Sequence, residues 1–234
     1  MVTDSSGDGT LGIIGGLGPA ATVNFMAEII EQTPAKSDQE HLETIVYNDP
    51  KIPDRQDAIL RSGKSPAPRL VRNAKTLEDD GADLIVIASN TTHHYHGDVA
   101  DAVSVPVPNM IELTAANIAT TDAESVGVLT TNSAIEIDLF DRAFDGTGID
   151  IVYPDEIDRL MDAIYTIKRG DEKRGRELYD SAAKTVVDAD VDAVILGCTE
   201  FSALPWPYAV DAVAPVVILA RYCIDAIKGA ERTE

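Results

Sequence analysis

Short runs of isoleucine, valine and leucine recur along the chain, and between them lie longer stretches in which apolar residues return every three or four positions. Runs of that length suit strands buried on both faces, and the intervening stretches suit crossover helices, the pattern of a parallel α/β fold. Strands are predicted near 11–15, 43–48, 83–88, 104–107, 125–130, 149–152, 192–197 and 213–217.

The strands fall into two series. Gly12-Ile13-Ile14 returns as Gly127-Val128-Leu129, an offset of 127 − 12 = 115. Asp83-Leu84-Ile85-Val86-Ile87-Ala88-Ser89 returns as Asp192-Ala193-Val194-Ile195-Leu196-Gly197-Cys198, which sets Ser89 against Cys198 at an offset of 198 − 89 = 109. Val105-Pro106-Val107 and Ala214-Pro215-Val216 share that offset. The expectation is two pseudo-symmetric four-stranded parallel halves. Residues 1–104 plus 208–234 form the first half and residues 105–207 the second. Ligands of open parallel sheets sit beyond the carboxyl ends of the strands, so the site is expected in a cleft between the halves.

Charge narrows the partners. Against 40 aspartates and glutamates stand 19 lysines and arginines, a formal net charge of −21 and a pI near 4.4. Attraction to nucleic acid or to an anionic membrane is excluded on that balance. Acidic residues spread along the whole chain, with few lysines, read as a halophilic surface whose self-repulsion salt screens. Cys198 and Cys223 are the only cysteines, too few for a disulfide framework, and the first residues lack the basic and apolar regions of a signal peptide. A soluble, cytoplasmic protein is expected.

Four motifs carry candidate chemistry. Gly15-Gly16-Leu17-Gly18-Pro19-Ala20-Ala21 follows a strand and opens a helix with proline in its first turn, a place where free N–H groups suit an anion and where Gly16 becomes a binding candidate. It also fits the G-x-G-x-x-A dinucleotide form, yet no acid ends the second strand where the ribose contact would need one. A tight turn that requires glycine is the competing explanation. Ser89-Asn90-Thr91-Thr92-His93 gathers hydroxyl and amide groups where a strand gives way to a helix. A helix cap would explain it alone, but Gly197-Cys198-Thr199-Glu200 occupies the equivalent place in the second half, which would bring Ser89 and Cys198 to opposite sides of one cleft. Of His93, His94 and His96 only the pair 93 and 96 shares a helix face, so no metal site is assigned. Ser89 lacks the glycine elbow of a serine hydrolase.

In order along the chain, Gly12 to Thr22, Ile52-Pro53-Asp54-Arg55, Asn90-Thr91-Thr92-His93, Asn109-Met110-Ile111-Glu112, Gly127 to Asn132, Ile167-Lys168-Arg169-Gly170 and Gly197-Cys198-Thr199-Glu200 resemble the aspartate/glutamate racemase family, the cofactor-independent amino-acid racemases. The resemblance runs from about residue 11 to the C-terminus. It implies two α/β halves with the last helix returning to the first, a homodimer, no cofactor, and a small acidic amino acid or dicarboxylate as substrate. By the same resemblance Arg55 and Lys168 hold the substrate's carboxylates, a role for which a guanidinium, forming two parallel hydrogen bonds, is well shaped. Asn90, Thr91 and Thr199 hold the α-carboxylate and the charge that develops at the α-carbon.

One position departs from the family's pattern. Two-way racemases of this type place a cysteine at each catalytic position, and this chain has Ser89 where the first belongs. A thiol of ordinary pKa, about 8.5, is a few per cent thiolate at neutral pH, whereas a serine hydroxyl is almost never ionised. The expected enzyme is therefore a PLP-independent racemase with Cys198 as its main base and Ser89 as a donor, with His93 as the nearest candidate activator of Ser89. A single-cysteine decarboxylase or isomerase of malonate-like acids and a non-catalytic binder of acidic metabolites remain as alternatives.

Overall fold

The computed structural model describes residues 9–198, 201 and 205–229. Two parallel sheets organise them. In the first, β1 (Leu11–Gly15) lies between β2 (Thr44–Asn48) and β3 (Leu84–Ile87), with Leu11 opposite both Thr44 and Leu84. In the second, β4 (Ser125–Leu129) lies between β5 (Asp150–Val152) and β6 (Ala193–Leu196), and β7 (Asp211–Val213) extends the β6 edge. Helices fill the crossovers: α1 (Pro19–Gln32), α2 (Arg55–Leu60), α3 (Ala67–Asp79), α4 (His96–Ala100), α5 (Met110–Ile118), α6 (Asn132–Glu136), α7 (Leu139–Phe144), α8 (Ile157–Lys168), α9 (Glu172–Val187) and α10 (Pro215–Lys228). Among the described residues no helix is long and apolar enough to cross a membrane.

The two-halves expectation holds, with two corrections. The stretch 104–107, expected as a strand, is not one. It runs beside β3 and the Pro106 carbonyl accepts from the Ile85 N–H at 3.0 Å, but Pro106 and Pro108 have no N–H to return, so no ladder forms and the first sheet has three strands. The strand expected at 213–217 ends at Val213. Pro215 occupies the first turn of α10, where its missing N–H is no loss and its fixed φ favours the helix. Pro106 thus meets the first sheet through one bond, and 211–213 pairs with the second.

Each sheet is covered on both faces, and the chain crosses between the sheets to supply one cover of each. On one face of the first sheet Leu11, Ile13, Leu84 and Val86 pack with Phe25 and Ile29 of α1 and with Leu219, Cys223, Ile224 and Ile227 of α10. Ile14, Ile85 and Ile87 face Leu70, Ala74 and Leu77 of α3 on the other. In the second sheet Val126, Val128 and Ile195 pack against Ile111, Ala115 and Ile118 of α5 and Phe140 and Phe144 of α7; Leu129, Val194 and Leu196 pack against α8 and α9. The chain thus leaves the first sheet to cover the second with α5, and leaves the second to cover the first with α10. Burying a leucine or isoleucine fully is worth about 1.5–3 kcal/mol, so Leu219, Ile224 and Ile227 alone tie α10 down by several times the thermal energy.

The repeat extends to the strand entrances. Asp83 accepts the Thr10 N–H at 2.8 Å, and Asp192, its counterpart, accepts the N–H groups of Glu124 and Ser125 at 2.9 Å. In both halves the aspartate before the third strand pins the start of the central one. Those bonds hold the Asp192 carboxyl below its ordinary pKa.

At the opposite edge, beyond the carboxyl ends of the strands, Asp49 ties β2 to α3. It is 5% exposed and accepts from Arg69 through Nε at 2.5 Å and a second nitrogen at 3.0 Å, from Arg72 at 3.2 Å, from Asn73 at 3.1 Å and from the Lys51 N–H at 3.1 Å. The Arg69 guanidinium above all, with Asn73 and Lys51, holds the Asp49 carboxyl down at about 2. A depressed carboxyl stabilises the fold above its ordinary value of 3.8 and loses that contribution as the pH falls through about 2. Asp49→Asn is expected to cost about 2 kcal/mol at pH 7, in line with hydrogen bonds to a charged group, and the gap between wild-type and variant melting temperatures should close between pH 4 and pH 2. Scanning calorimetry of both proteins across that range checks this; a gap that stays constant would remove Asp49 as the source.

Candidate active site

Two strands end on the site in the same way. Ser89 stands two residues beyond the end of β3 at Ile87, Cys198 two residues beyond the end of β6 at Leu196, and 196 − 87 repeats the offset of 109. Both are buried, at 7% and 3% exposure. A cavity of about 60 Å³ between the halves is lined by Ser89, Asn90, Thr91, Cys198, Arg55 and Lys168. Six of the eight residues singled out from sequence therefore meet at one place. Thr199 lies outside the described residues.

Gly16 is placed differently. Its φ is +85°, its N–H donates to Thr22 Oγ1 at 2.9 Å, and a Cβ there would stand 2.3 Å from the Asp49 carbonyl carbon. The N–H expected to meet an anion is already satisfied inside the turn, and the residue does not line the cavity. Glycine is required at this point because the backbone enters the left-handed region against its neighbour. Its counterpart by the offset of 115 is Thr131, which does line the cavity and which the repeat could have supplied (16 + 115 = 131).

Arg55 opens α2, whose N-cap Asp54 accepts from the Asp57 N–H at 2.9 Å. The guanidinium reaches back across the first half to the carbonyls of Leu17, at 2.8 Å, and Pro53, at 3.4 Å. Those contacts fix its plane at the cavity wall. Lys168 is the last residue of α8 and brings a second cation from the opposite half. In a chain of net charge −21, the meeting of two basic side chains at one small cavity is notable.

Ser89 and its neighbours form a directed network. Thr92 Oγ1 donates to Ser89 Oγ at 2.8 Å, which leaves the serine O–H to point elsewhere. The His93 ring does return to residue 89, as the spacing of four suggested, but its Nδ1 meets the Ser89 carbonyl at 2.8 Å and not the hydroxyl. A carbonyl only accepts, so Nδ1 carries the proton. Burial lowers the His93 pKa to about 4, and the ring is neutral at physiological pH. His93 thus holds the backbone of the motif and is not bonded to the serine oxygen. His96, stacked on it at 6.0 Å, meets the Val107 carbonyl at 2.6 Å. Among the described residues no group of three or more His, Cys, Asp or Glu is placed to hold a metal ion.

Asn90 is 4% exposed, and neither its amide oxygen nor its amide nitrogen has a partner among the described residues. A buried amide with both ends unsatisfied is costly unless something else fills its valences. Thr91 Oγ1 shares a 3.0 Å hydrogen bond with Thr131 Oγ1 across the cleft, and Thr131 caps α6 and meets Ser133 at 3.0 Å. Gln56 and Tyr165 also line the cavity and were not singled out from the sequence. The signals were present, since Gln56 adjoins Arg55 and Tyr165 precedes Lys168 by three, the spacing of one helix face.

Comparison with known proteins agrees with this geometry. Residues 14–223 match the family described as Asp/Glu/Hydantoin racemase. The broad-specificity amino-acid racemase of Bacillus subtilis (strain 168) is 24% identical over 199 residues, covering 83% of this chain and 86% of the relative. The aspartate racemase of Picrophilus torridus superposes with a TM-score of 0.86 at 32% identity, covering 94% of both chains. An aspartate racemase homologue from Pyrococcus horikoshii superposes with a TM-score of 0.75 at 25% identity, covering 94% of this chain and 99% of its own. A match over residues 14–223, which takes in the strand ends that carry Ser89 and Cys198 as well as Arg55 and Lys168, makes this chain an enzyme of the Asp/Glu/hydantoin racemase family.

Proposed function

We propose that the protein inverts the α-carbon of a small acidic amino acid without a cofactor, with Cys198 as the main base. The observation that carries this reading is the meeting of Ser89 and Cys198, from equivalent strand ends, in one cavity that also holds Arg55 and Lys168. The two cations take the substrate's carboxylates. The Asn90 amide, unsatisfied at both ends, offers a donor to a carboxylate and an acceptor to an ammonium. The Cys198 thiolate removes the α-proton, the electron pair moves into the carboxylate as an enolate, and a proton returns to the other face from the Ser89 hydroxyl or from water. Thr91, held by Thr131, orients the substrate, and Thr199 keeps its place in this reading as a carboxylate contact. A homodimer is part of the same reading. It is supported by Val23 and Ile30, 65% and 57% exposed, which continue the outward face of α1 with Ala20 and Ala27.

The network around Ser89 supports an uneven pair. Its oxygen accepts from Thr92 and its candidate activator, His93, is turned to the carbonyl, so neither of these neighbours raises the serine to a base. That observation also favours a second reading, in which a malonate-like acid loses carbon dioxide and Cys198 protonates the resulting enolate, since one donor is enough. Proton NMR in D₂O separates them: exchange at Cα supports inversion, and release of carbon dioxide from substituted malonates supports decarboxylation.

For inversion, Cys198→Ala should abolish exchange of both enantiomers, and Ser89→Ala should leave the enantiomer whose proton faces Cys198 largely intact. Ser89→Cys should speed the slow enantiomer at least tenfold, which needs only about 1.4 kcal/mol off the barrier. Equal exchange of both enantiomers by the wild type, lost entirely in Ser89→Ala, would mean that serine is a full second base.

Arg55→Lys keeps a charge and loses the two-pronged donor together with the Leu17 and Pro53 contacts that fix it. Dicarboxylate affinity should fall at least tenfold, about 1.4 kcal/mol, in titration calorimetry. An unchanged constant would take Arg55 out of the binding set.

A further inference from the structure

The cavity that holds Ser89 and Cys198 has a neighbour. A second cavity of about 250 Å³ lies between the halves, bounded by Leu60, Arg61, Asp158 and Met161, and Gln56 and Tyr165 line both. The Tyr165 hydroxyl donates to Gln56 Oε1 at 3.2 Å. These two side chains, one from each half, are therefore the partition between a reaction cavity of about 60 Å³, room for a few waters at about 15 Å³ each, and a space four times larger.

Position gives the partition its meaning. Gln56 follows Arg55 on α2, and Tyr165 precedes Lys168 by one turn of α8. The partition is thus contributed by the two helices that carry the cations, and not by the strand ends that carry Ser89 and Cys198. A substrate with its α-carbon between those two residues would direct its side chain toward Gln56 and Tyr165.

We infer that Gln56 and Tyr165 set the length of side chain the enzyme accepts, closing the site behind aspartate- and glutamate-sized substrates and keeping longer ones out of the neighbouring space. This rests on the proposed inversion reaction. The bond is one that substrate entry can break: Tyr165 is 42% exposed, and a neutral hydrogen bond contributes only about 1 kcal/mol net. Removing either side chain is expected to join the two cavities.

Two measurements test it, one without turnover. In the first, intact protein is alkylated with iodoacetamide and with a bulky pyrene maleimide, and the rate at Cys198 is followed by peptide mass spectrometry. Cys223, fully buried in α10 with its thiol pushed up to about 12 by burial, is the unreactive control. Tyr165→Ala and Gln56→Ala should each raise the bulky-to-small rate ratio at Cys198 at least tenfold. In the second, Cα exchange is compared for aspartate, glutamate and 2-aminoadipate. Both variants should raise kcat/KM for 2-aminoadipate relative to aspartate at least tenfold, mostly through KM, and Tyr165→Phe, which keeps the ring and loses only the bond, should give a smaller rise. Unchanged ratios in variants whose circular dichroism and melting match the wild type would overturn the partition. If the wild type exchanges no amino acid at all, the inversion reading falls and the alkylation ratio alone decides whether Gln56 and Tyr165 close the cavity.

Discussion

A strand paired in parallel to its neighbour must end on the same edge of the sheet as that neighbour, and this constraint governs where chemistry can be placed in the molecule. Every loop that leaves a carboxyl end opens on one side, so Gly15, Asn48 and Ser89 emerge together from the first sheet and Leu129 and Cys198 together from the second. Facing the two edges across a cleft turns a property of each sheet into a site with two sides. A reaction at a tetrahedral carbon, with a proton leaving one face and another arriving at the opposite face, needs two sides of that kind.

The same arrangement explains how a chain dominated by acidic residues keeps cations where an acidic substrate would meet them. Arg55 is set in place by the carbonyls of Leu17 and Pro53 and by the capped start of α2. The carboxylate that could have competed from the end of β2, Asp49, is occupied by Arg69, Arg72 and Asn73. Asp49 and Arg55 are thus anchored separately, one toward α3 and the other at the cavity. The hydroxyls of Thr91 and Thr131 then close the cleft with a contact that carries no net charge.

Much of this was legible in the sequence because a repeat announces itself twice. The match of Ser89 with Cys198 foretold that both would stand at one site, and the aspartates at 83 and 192 do the same work at the two strand entrances. What was not legible depended on atoms with no periodicity. A run such as Ala214 to Ala220 has the composition of a strand and of a buried helix alike, and only the helical preference for proline in a first turn decides it. The stretch 104–107 has the apolar content of a strand, but two prolines deny it a ladder. Gly16 illustrates a different gap: a glycine-rich turn after a strand predicts free N–H groups, yet Thr22, one helical turn on, supplies an internal acceptor. The direction of the His93 ring likewise rests on a choice between a carbonyl and a hydroxyl of the same residue, which spacing along the chain does not distinguish.

The exchange of covering helices has a mechanical side. The chain passes between the halves twice, once just before α5 and once just before α10, and each passage leads into a helix packed firmly on the far sheet. Two short tethers of this kind would favour a rotation about the line joining them over any other relative motion, much as two pins define the axis of a door. Points near that line barely move when the cleft opens, and points far from it sweep the widest arc. The width of the cleft would then be a single coordinate, along which the groups contributed by each half advance and withdraw together.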